Sequence, residues 1–409
     1  MRTDFDAIAI GGGLAGCAFA LRLANRGLRV ALIERTAGAK LKVCGDFLSA
    51  EAQTCLQALG LDIRRMNAER IHDLRLVAGR RASAAALPFP AAGLSRLTLD
   101  EMLLSLAAEA GVQVMRGRPA RAPIFTDHGV LVQAGHNWLR ARYVALATGK
   151  HNLRGLPRAH GTLAAFKMSF HLSAAARHDL AGRVQVAGYP GGYIGACNIE
   201  DGAATLCWLA GPAMMRRSRG RWSGQLDEIS RRVPLIGDLL SGARPLSEKP
   251  AGVAAIPYGY RRRHVICENV FPLGDQLAVI PSFTGDGTSI ALASAIAAAE
   301  AVLAGQGAEA FQRAFQRRLD AQFRWAVAMD VVFKSAVTRW LGVAAIKGAP
   351  GIATRLARVT RLRAHPPVSA SKVDDDEIGA EPRAEGHEQM ASARSAFDGL
   401  VEHEQRARR

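Results

Sequence analysis

No apolar stretch of the 409-residue chain is long enough to cross a bilayer. The longest, residues 290 to 305, is interrupted by Glu300, whereas a spanning helix needs roughly 18 to 20 uninterrupted apolar residues. The first ten residues hold two acidic groups and run into glycines, unlike the charged start and cleavage site of a secretory signal, so a cytoplasmic location is expected. Cysteine is scarce and scattered: residues 17, 44, 55, 197, 207 and 267 form no C-x-x-C pair, which argues against a disulfide framework and a thiolate zinc site alike. The eleven histidines form no ligand cluster and no Ser-His-Asp order, so no metal is expected. Aromatics make up 6% of the chain and do not interleave with its basic residues, so a stacking platform for nucleic acid is missing and no such partner is expected. No repeat with a period of roughly 20 to 50 residues is visible, which excludes solenoids and propellers.

What the chain does have is positive charge, +17 in all. Its last 44 residues hold 6 basic and 10 acidic groups, leaving 47 basic and 26 acidic groups on the body, a net +21. Such a field attracts anionic lipid or a phosphorylated ligand, and its sign alone does not choose between them. At the N-terminus an apolar strand, Phe5 to Ile10, leads through glycines into a helix with Ala/Leu periodicity and then into a second strand, Arg29 to Ile33. This is one βαβ unit. From 155 to 265 the pattern changes to period-two strands at 166–172, 183–189, 193–199 and 203–210, followed by a basic helical stretch at 222–240. The expected fold is α/β (α+β overall): a Rossmann-like dinucleotide-binding domain (1–70, 96–155 and 266–305) interleaved with an antiparallel β-sheet substrate domain (71–95 and 156–265). C-terminal helices (306–365) and a disordered tail (366–409) complete it.

Gly11-Gly12-Gly13-Leu14-Ala15-Gly16 fits G-x-G-x-x-G and sits directly after a strand and at the opening of a helix. Gly11 permits the tight turn, Gly13 the approach of a pyrophosphate, and Gly16 close helix packing, while Ala15 lies in the same turn. Glu34 ends the second strand, where its carboxylate can accept from ribose hydroxyls, and Arg35 follows it. Far downstream, Asp275 follows an apolar strand and precedes a glycine loop with Gly285 and Gly287 at the start of a long helix. A bound FAD would use both features, the carboxylate for its ribityl hydroxyls and the helix N-terminus for the electron-rich edge of the reduced ring.

The glycine fingerprint with Glu34-Arg35, the S-R-x-x-L-D segment from Ser95 to Asp100, and Gly274-Asp275 occur in an order that resembles the FAD-dependent oxidoreductases of the p-hydroxybenzoate hydroxylase fold, nearest their geranylgeranyl reductase-like branch. The resemblance implies that Arg96 approaches the cofactor and that Asp275 holds its ribityl chain. Residues 40–49, KLKVCGDFLS, resemble the reductase branch, in which such a segment lines the flavin. Cys44 and Asp46 thereby become candidate catalytic groups, and Tyr193 joins them as a candidate proton donor. A thiol beside Lys42 could have a lowered pKa, although an inert cysteine fits the sequence equally well. Two departures narrow the match. Ala147-Thr148-Gly149-Lys150-His151 stands where the hydroxylases carry an Asp-Gly pair linked to NADPH, and the isoprenoid reductases' Trp is absent from the 188–200 region.

The implied function is an FAD-dependent oxidoreductase acting on a lipidic or secondary-metabolite substrate by reducing a C=C bond. The alternatives are a flavin-dependent monooxygenase and a flavin electron-transfer protein without a small substrate. NADPH is a candidate transient electron donor. Lys167, Ser169 and His171 share one strand face, which either lines a cavity or meets solvent. Residues 331–363 mix apolar and basic side chains and read either as an interfacial amphipathic helix, broken at Pro350 and touching the inner face of a membrane, or as a helix pair packed on the core.

Overall fold

The computed structural model describes residues 4–126, 129–158 and 160–349, together with 351, 354, 355, 358 and 361. Pro350 and the expected tail at 366–409 lie outside the described residues. Two sheets organise the chain. In the first, strand Phe5–Ile10 pairs in parallel with Val30–Ile33 on one side and with Asn137–Leu146 on the other, in the register Ile8 opposite Ala31 and Val144. Val270–Pro272 and the hairpin strand Gly129–Ala134 share the far edge of Asn137–Leu146. Strand Phe5–Ile10 becomes buried from Ala7 onward and Val30–Ile33 is buried throughout, as strands covered on both faces must be.

Helix Leu14–Ala24 packs behind this sheet and is buried on nearly every side, so its small residues Ala15, Gly16, Cys17, Ala18 and Ala20 let neighbouring backbones approach closely. Helix Gly287–Leu303 lies against it, again rich in alanine and largely buried. One apolar cluster joins the two helices to the inner face of the sheet. Helix Arg96–Glu109 starts where Ser95 caps it, its Oγ accepting from Thr98 N at 3.2 Å.

The second sheet runs in the order Arg244–Pro245, Leu163–His171, Ala204–Ala210, Gly192–Asn198, Arg183–Tyr189, Glu69–Ala78, Arg81–Gly93, Phe47–Leu48. It departs from the sequence expectation in two respects. Arg183–Tyr189 pairs in parallel with Glu69–Ala78, so the sheet is mixed. Phe47–Leu48 and Glu69–Arg70 already pair into it, so the chain crosses to the second sheet before residue 71. The helical stretch expected at 222–240 is two helices, Trp222–Arg232 and Pro234–Leu240. Pro234 has no N–H to continue a helix and biases Val233 towards extended backbone.

The C-terminal stretch holds the helix pair Ala308–Lys334 and Ala336–Gly348, separated at Ser335; the second helix ends at Gly348, directly ahead of the break expected at Pro350. Ser335 is extended, with ψ 135°, and begins the second helix as its N-cap residue. That second helix packs on the hairpin Glu69–Ala78/Arg81–Gly93, where Ser83 Oγ donates to Val343 O at 2.8 Å. No described helix is long and apolar enough to cross a membrane.

Candidate active site

A cavity of about 780 Å³ runs between the sheets, its wall shared by the N-terminal glycine turn, the Gly274-Asp275 turn, and side chains of the second sheet. The glycines set the geometry at one end. Gly11 has φ +114°, and a Cβ at Gly16 would stand 1.8 Å from Gly11 O, so no side chain fits there. A Cβ on Gly13 would lie 3.4 Å from Lys42 Nζ and 3.5 Å from Arg96 Nη2. Backbone N–H groups at a helix start and two cations thus converge on one bay, the environment a pyrophosphate requires.

Asp100 fixes both cations. It accepts from Arg96 Nε at 2.9 Å and from Arg96 Nη2 at 3.1 Å, and pairs with Lys42 Nζ at 2.9 Å. The i,i+4 spacing of Arg96 and Asp100 was visible in the S-R-x-x-L-D segment; the part played by Lys42 was not. Glu34 accepts from Gly12 N at 2.8 Å, Thr36 N at 2.9 Å and Thr36 Oγ1 at 2.8 Å. Burial pushes its carboxyl up, but the hydrogen bonds from Thr36 and Gly12 and the Lys42 charge outweigh this and hold it below the usual range. Glu34 is therefore an anion facing the cavity, suited to ribose hydroxyls and hostile to a second phosphate. Arg35 is exposed at the mouth.

The two distant segments meet. A Cβ on Gly274 would lie 3.8 Å from Ala15 Cβ, and Gly274 N donates to Ser294 Oγ at 2.9 Å, tying the turn to helix Gly287–Leu303. Asp275 pairs with Lys150 Nζ at 3.3 Å, and Arg158 donates to the Asp275 carbonyl. Gln276 Nε2 donates to Thr148 Oγ1 and to the carbonyls of Gly149 and His151. Residues 147–151, which depart from the hydroxylase pattern, thus serve here as the brace of the Asp275 turn. His151 is pushed down to about 4 by burial and by the surrounding Arg35, Lys40, Lys150 and Arg158, so it is neutral at physiological pH.

Between these ends lie Cys44, Tyr193, Gly285 and Gly287, all on the cavity wall. Tyr193 Oη donates to Ser282 Oγ at 2.8 Å, Tyr258 Oη bonds the same hydroxyl, and burial lifts the Tyr193 phenol well above its ordinary value. It keeps its proton. Gly285 and Gly287 flank Asp286, the residue that precedes helix Gly287–Leu303 at its N-cap position, which the sequence did not single out. Asp286 is fully buried, pairs with Arg361 Nη1 at 2.9 Å, and is pushed up to about 6 chiefly by burial.

Asp46 stands apart from the other candidates. It is 1% exposed, absent from the cavity wall, and paired with Lys167 Nζ at 2.5 Å, while its Oδ1 accepts from Arg96 N at 3.1 Å. Burial raises the Asp46 carboxyl; at Lys167 the cost of burial is outweighed by the adjacent carboxylate, which holds the ammonium charged. Lys167 therefore meets neither solvent nor cavity, the two outcomes its strand face allowed, and Asp46 acts as an anchor inside the wall. The signal that could have linked them, one acid and one lysine on separate apolar-flanked segments, has no fixed spacing.

At the far end the wall is largely apolar, with Leu74, Leu76, Leu87, Phe89, Val184 and Val186 from the second sheet and Met329 and Ile346 of the C-terminal helices, and the Arg361 guanidinium lies 4.9 Å over the Phe89 ring. Among the described residues no cluster could hold a metal ion.

The chain matches the family model "Lycopene cyclase protein" over residues 6–186. It is 27% identical over 343 residues to a probable electron transfer flavoprotein-quinone oxidoreductase, YdiS, of Escherichia coli, covering 73% of this chain and 76% of that one. It is 32% identical over 124 residues to the menaquinone reductase of Mycolicibacterium smegmatis, covering 29% of this chain and 30% of that protein. The structure superimposes on the flavin-dependent brominase Bmp2 with a TM-score of 0.73 at 17% identity, covering 88% of this chain and 94% of the other, which establishes a shared fold.

Proposed function

We propose that the chain is an FAD-dependent oxidoreductase of the p-hydroxybenzoate hydroxylase fold, a reading supported by its similarities to flavoproteins, and that it reduces a carbon–carbon double bond in a lipidic substrate, as the geranylgeranyl reductase-like branch would. The observation that carries this reading is the continuity of the cavity, whose phosphate-binding bay and apolar chamber share one space. FAD, when bound, supplies the redox chemistry. The protein's own groups bind and orient it: the Gly11–Gly16 turn with Lys42 and Arg96 would take the pyrophosphate, Glu34 the adenosine ribose, and Asp275 the ribityl chain. The N-terminus of helix Gly287–Leu303 would face the electron-rich edge of the ring. Leu74, Leu76 and Val186 exclude water from the apolar end and select substrates without charge there.

A proton must follow the hydride onto the substrate. Tyr193, kept protonated by burial and bonded to Ser282, and the Cys44 thiol are the donors within reach of the chamber. Asp46, enclosed with Lys167, is not one of them. Two relatives are named for quinones, which are apolar molecules, and this supports the lipidic class.

The test is anaerobic reduction of the flavin, by NADPH or by dithionite, followed by mixing with a polyprenyl lipid or an isoprenoid quinone in the absence and presence of oxygen. Reoxidation by the lipid alone is the expected result, and bleaching by NADPH would identify the donor. A requirement for both lipid and oxygen would replace the proposal with a monooxygenase. Reoxidation only by a redox protein would replace it with electron transfer.

A further inference from the structure

The helix that closes the apolar chamber has a second face that is exposed among the described residues. Val337, Trp340 and Leu341 of helix Ala336–Gly348 are 67%, 43% and 51% exposed, and their spacing of three and four residues sets them, with exposed Ala345, along one side. The opposite side, Arg339, Val343 and Ile346, is buried against the sheet hairpin. Trp325, near the end of the preceding helix, is 48% exposed. Large apolar side chains grouped in this way mark a contact surface, whereas single exposed ones do not.

The exposed charges shown beside this face are cationic. Lys347 is exposed beside the apolar row, and the hairpin tip adds exposed Arg80 and Arg81, with the Arg81 guanidinium 4.6 Å above the Trp340 ring. Amphipathic rings and aliphatic side chains inside a cationic rim complement an anionic bilayer, with the apolar row in the acyl boundary and the guanidinium groups at lipid phosphates. A second copy of the chain is the poorer partner, because a two-fold contact would set one cationic rim against another.

The same helix pair contributes Met329 and Ile346 to the apolar end of the cavity. We propose that the Val337–Trp340–Leu341 face, rimmed by Arg80, Arg81 and Lys347, seats the protein on an anionic membrane surface and sets the substrate chamber beside the lipid. The inference rests on the lipidic-substrate reading for its purpose; its test reads binding, so either can fail without the other.

The experiment is cosedimentation of the flavin-loaded full chain with vesicles of phosphatidylcholine alone and of phosphatidylcholine mixed with phosphatidylglycerol. Binding to the anionic vesicles should be about tenfold tighter or more, should weaken in high salt, and should shift tryptophan emission to the blue. Val337→Glu/Trp340→Glu/Leu341→Glu should abolish it. The milder Trp340→Ala, whose flavin absorbance and melting temperature should match the parent protein, should weaken it several-fold. Equal binding to both compositions, no binding, or wild-type binding by the triple variant would overturn the proposal. So would a concentration-dependent dimer that the triple variant converts to a monomer.

Discussion

At the glycine-turn end of the cavity the wall is backbone and paired charge: Gly13 beside Lys42 and Arg96, both fixed by Asp100, and Glu34 held by Gly12 and Thr36. At the far end it is mostly apolar side chains from the second sheet and a closing helix pair, with Arg361, paired to Asp286, over the Phe89 ring. The first end is built to fix a ligand by direction and charge. The second would select chiefly by shape and by the cost of burying polar groups, so under the proposed function substrate identity could change there without disturbing the cofactor.

The Asp46–Lys167 pair is the link between the two, since it ties the segment carrying Cys44 to both strand Leu163–His171 and the start of the Arg96 helix. Removing one partner leaves the other charge buried and uncompensated. Lys167→Met should therefore destabilise the fold by about 3–5 kcal/mol, measured by denaturant unfolding, and the second substitution Asp46→Leu should recover most of the loss. If Lys167→Met unfolds like the parent protein, the two ends are not coupled through this pair.

The difference between the ends also accounts for what could be read from the residues alone. The βαβ unit, the glycine turn, Glu34 and Asp275 follow from local rules, because each motif carries its own geometry within a few residues. The strands at 183–189 and 204–210 were likewise legible from alternation. What could not be read depended on contacts between segments with no fixed spacing: Lys167 against Asp46, Arg361 against Asp286, Lys150 against Asp275. The apolar chamber is the extreme case, since its residues look like any core strand until the packing leaves space between them. The separation at Ser335 was missed for a related reason, since a serine cap is a weak mark in a sequence.

Asp286 sharpens the comparison through pH. Its folded-state pKa of about 6 lies above the ordinary carboxylate value of 3.8, so the folded protein takes up this proton more readily than the unfolded chain. The stabilisation from that proton is complete below about pH 4 and is lost as pH rises through about 6. A shift of this size corresponds to about 3 kcal/mol between the two limits. Asp286→Asn removes the titration, so the stability of the parent protein relative to this variant should fall between pH 4 and pH 7, read from unfolding curves at each pH. A constant difference would mean that Arg361 holds Asp286 ionised throughout, and that the start of helix Gly287–Leu303 carries a permanent negative charge beside the cavity.

The smallest effect is also the sharpest test of independence. Arg96→Met removes a cation from the phosphate bay and should weaken FAD binding by about 1.5–3 kcal/mol, the usual worth of a hydrogen bond to a charged group. Val186→Phe narrows the apolar end and should leave FAD affinity within about twofold, because energetic effects at separated sites without shared partners add independently. Fluorescence titration of FAD into both apoproteins measures the first quantity. Quenching of the bound flavin by an added apolar lipid measures the second, and there Val186→Phe should be the weaker binder while Arg96→Met, once saturated with FAD, behaves as the parent protein does. Were Val186→Phe to lose FAD as Arg96→Met does, the chamber and the bay would be one site with one occupant, and the apolar wall would belong to the cofactor.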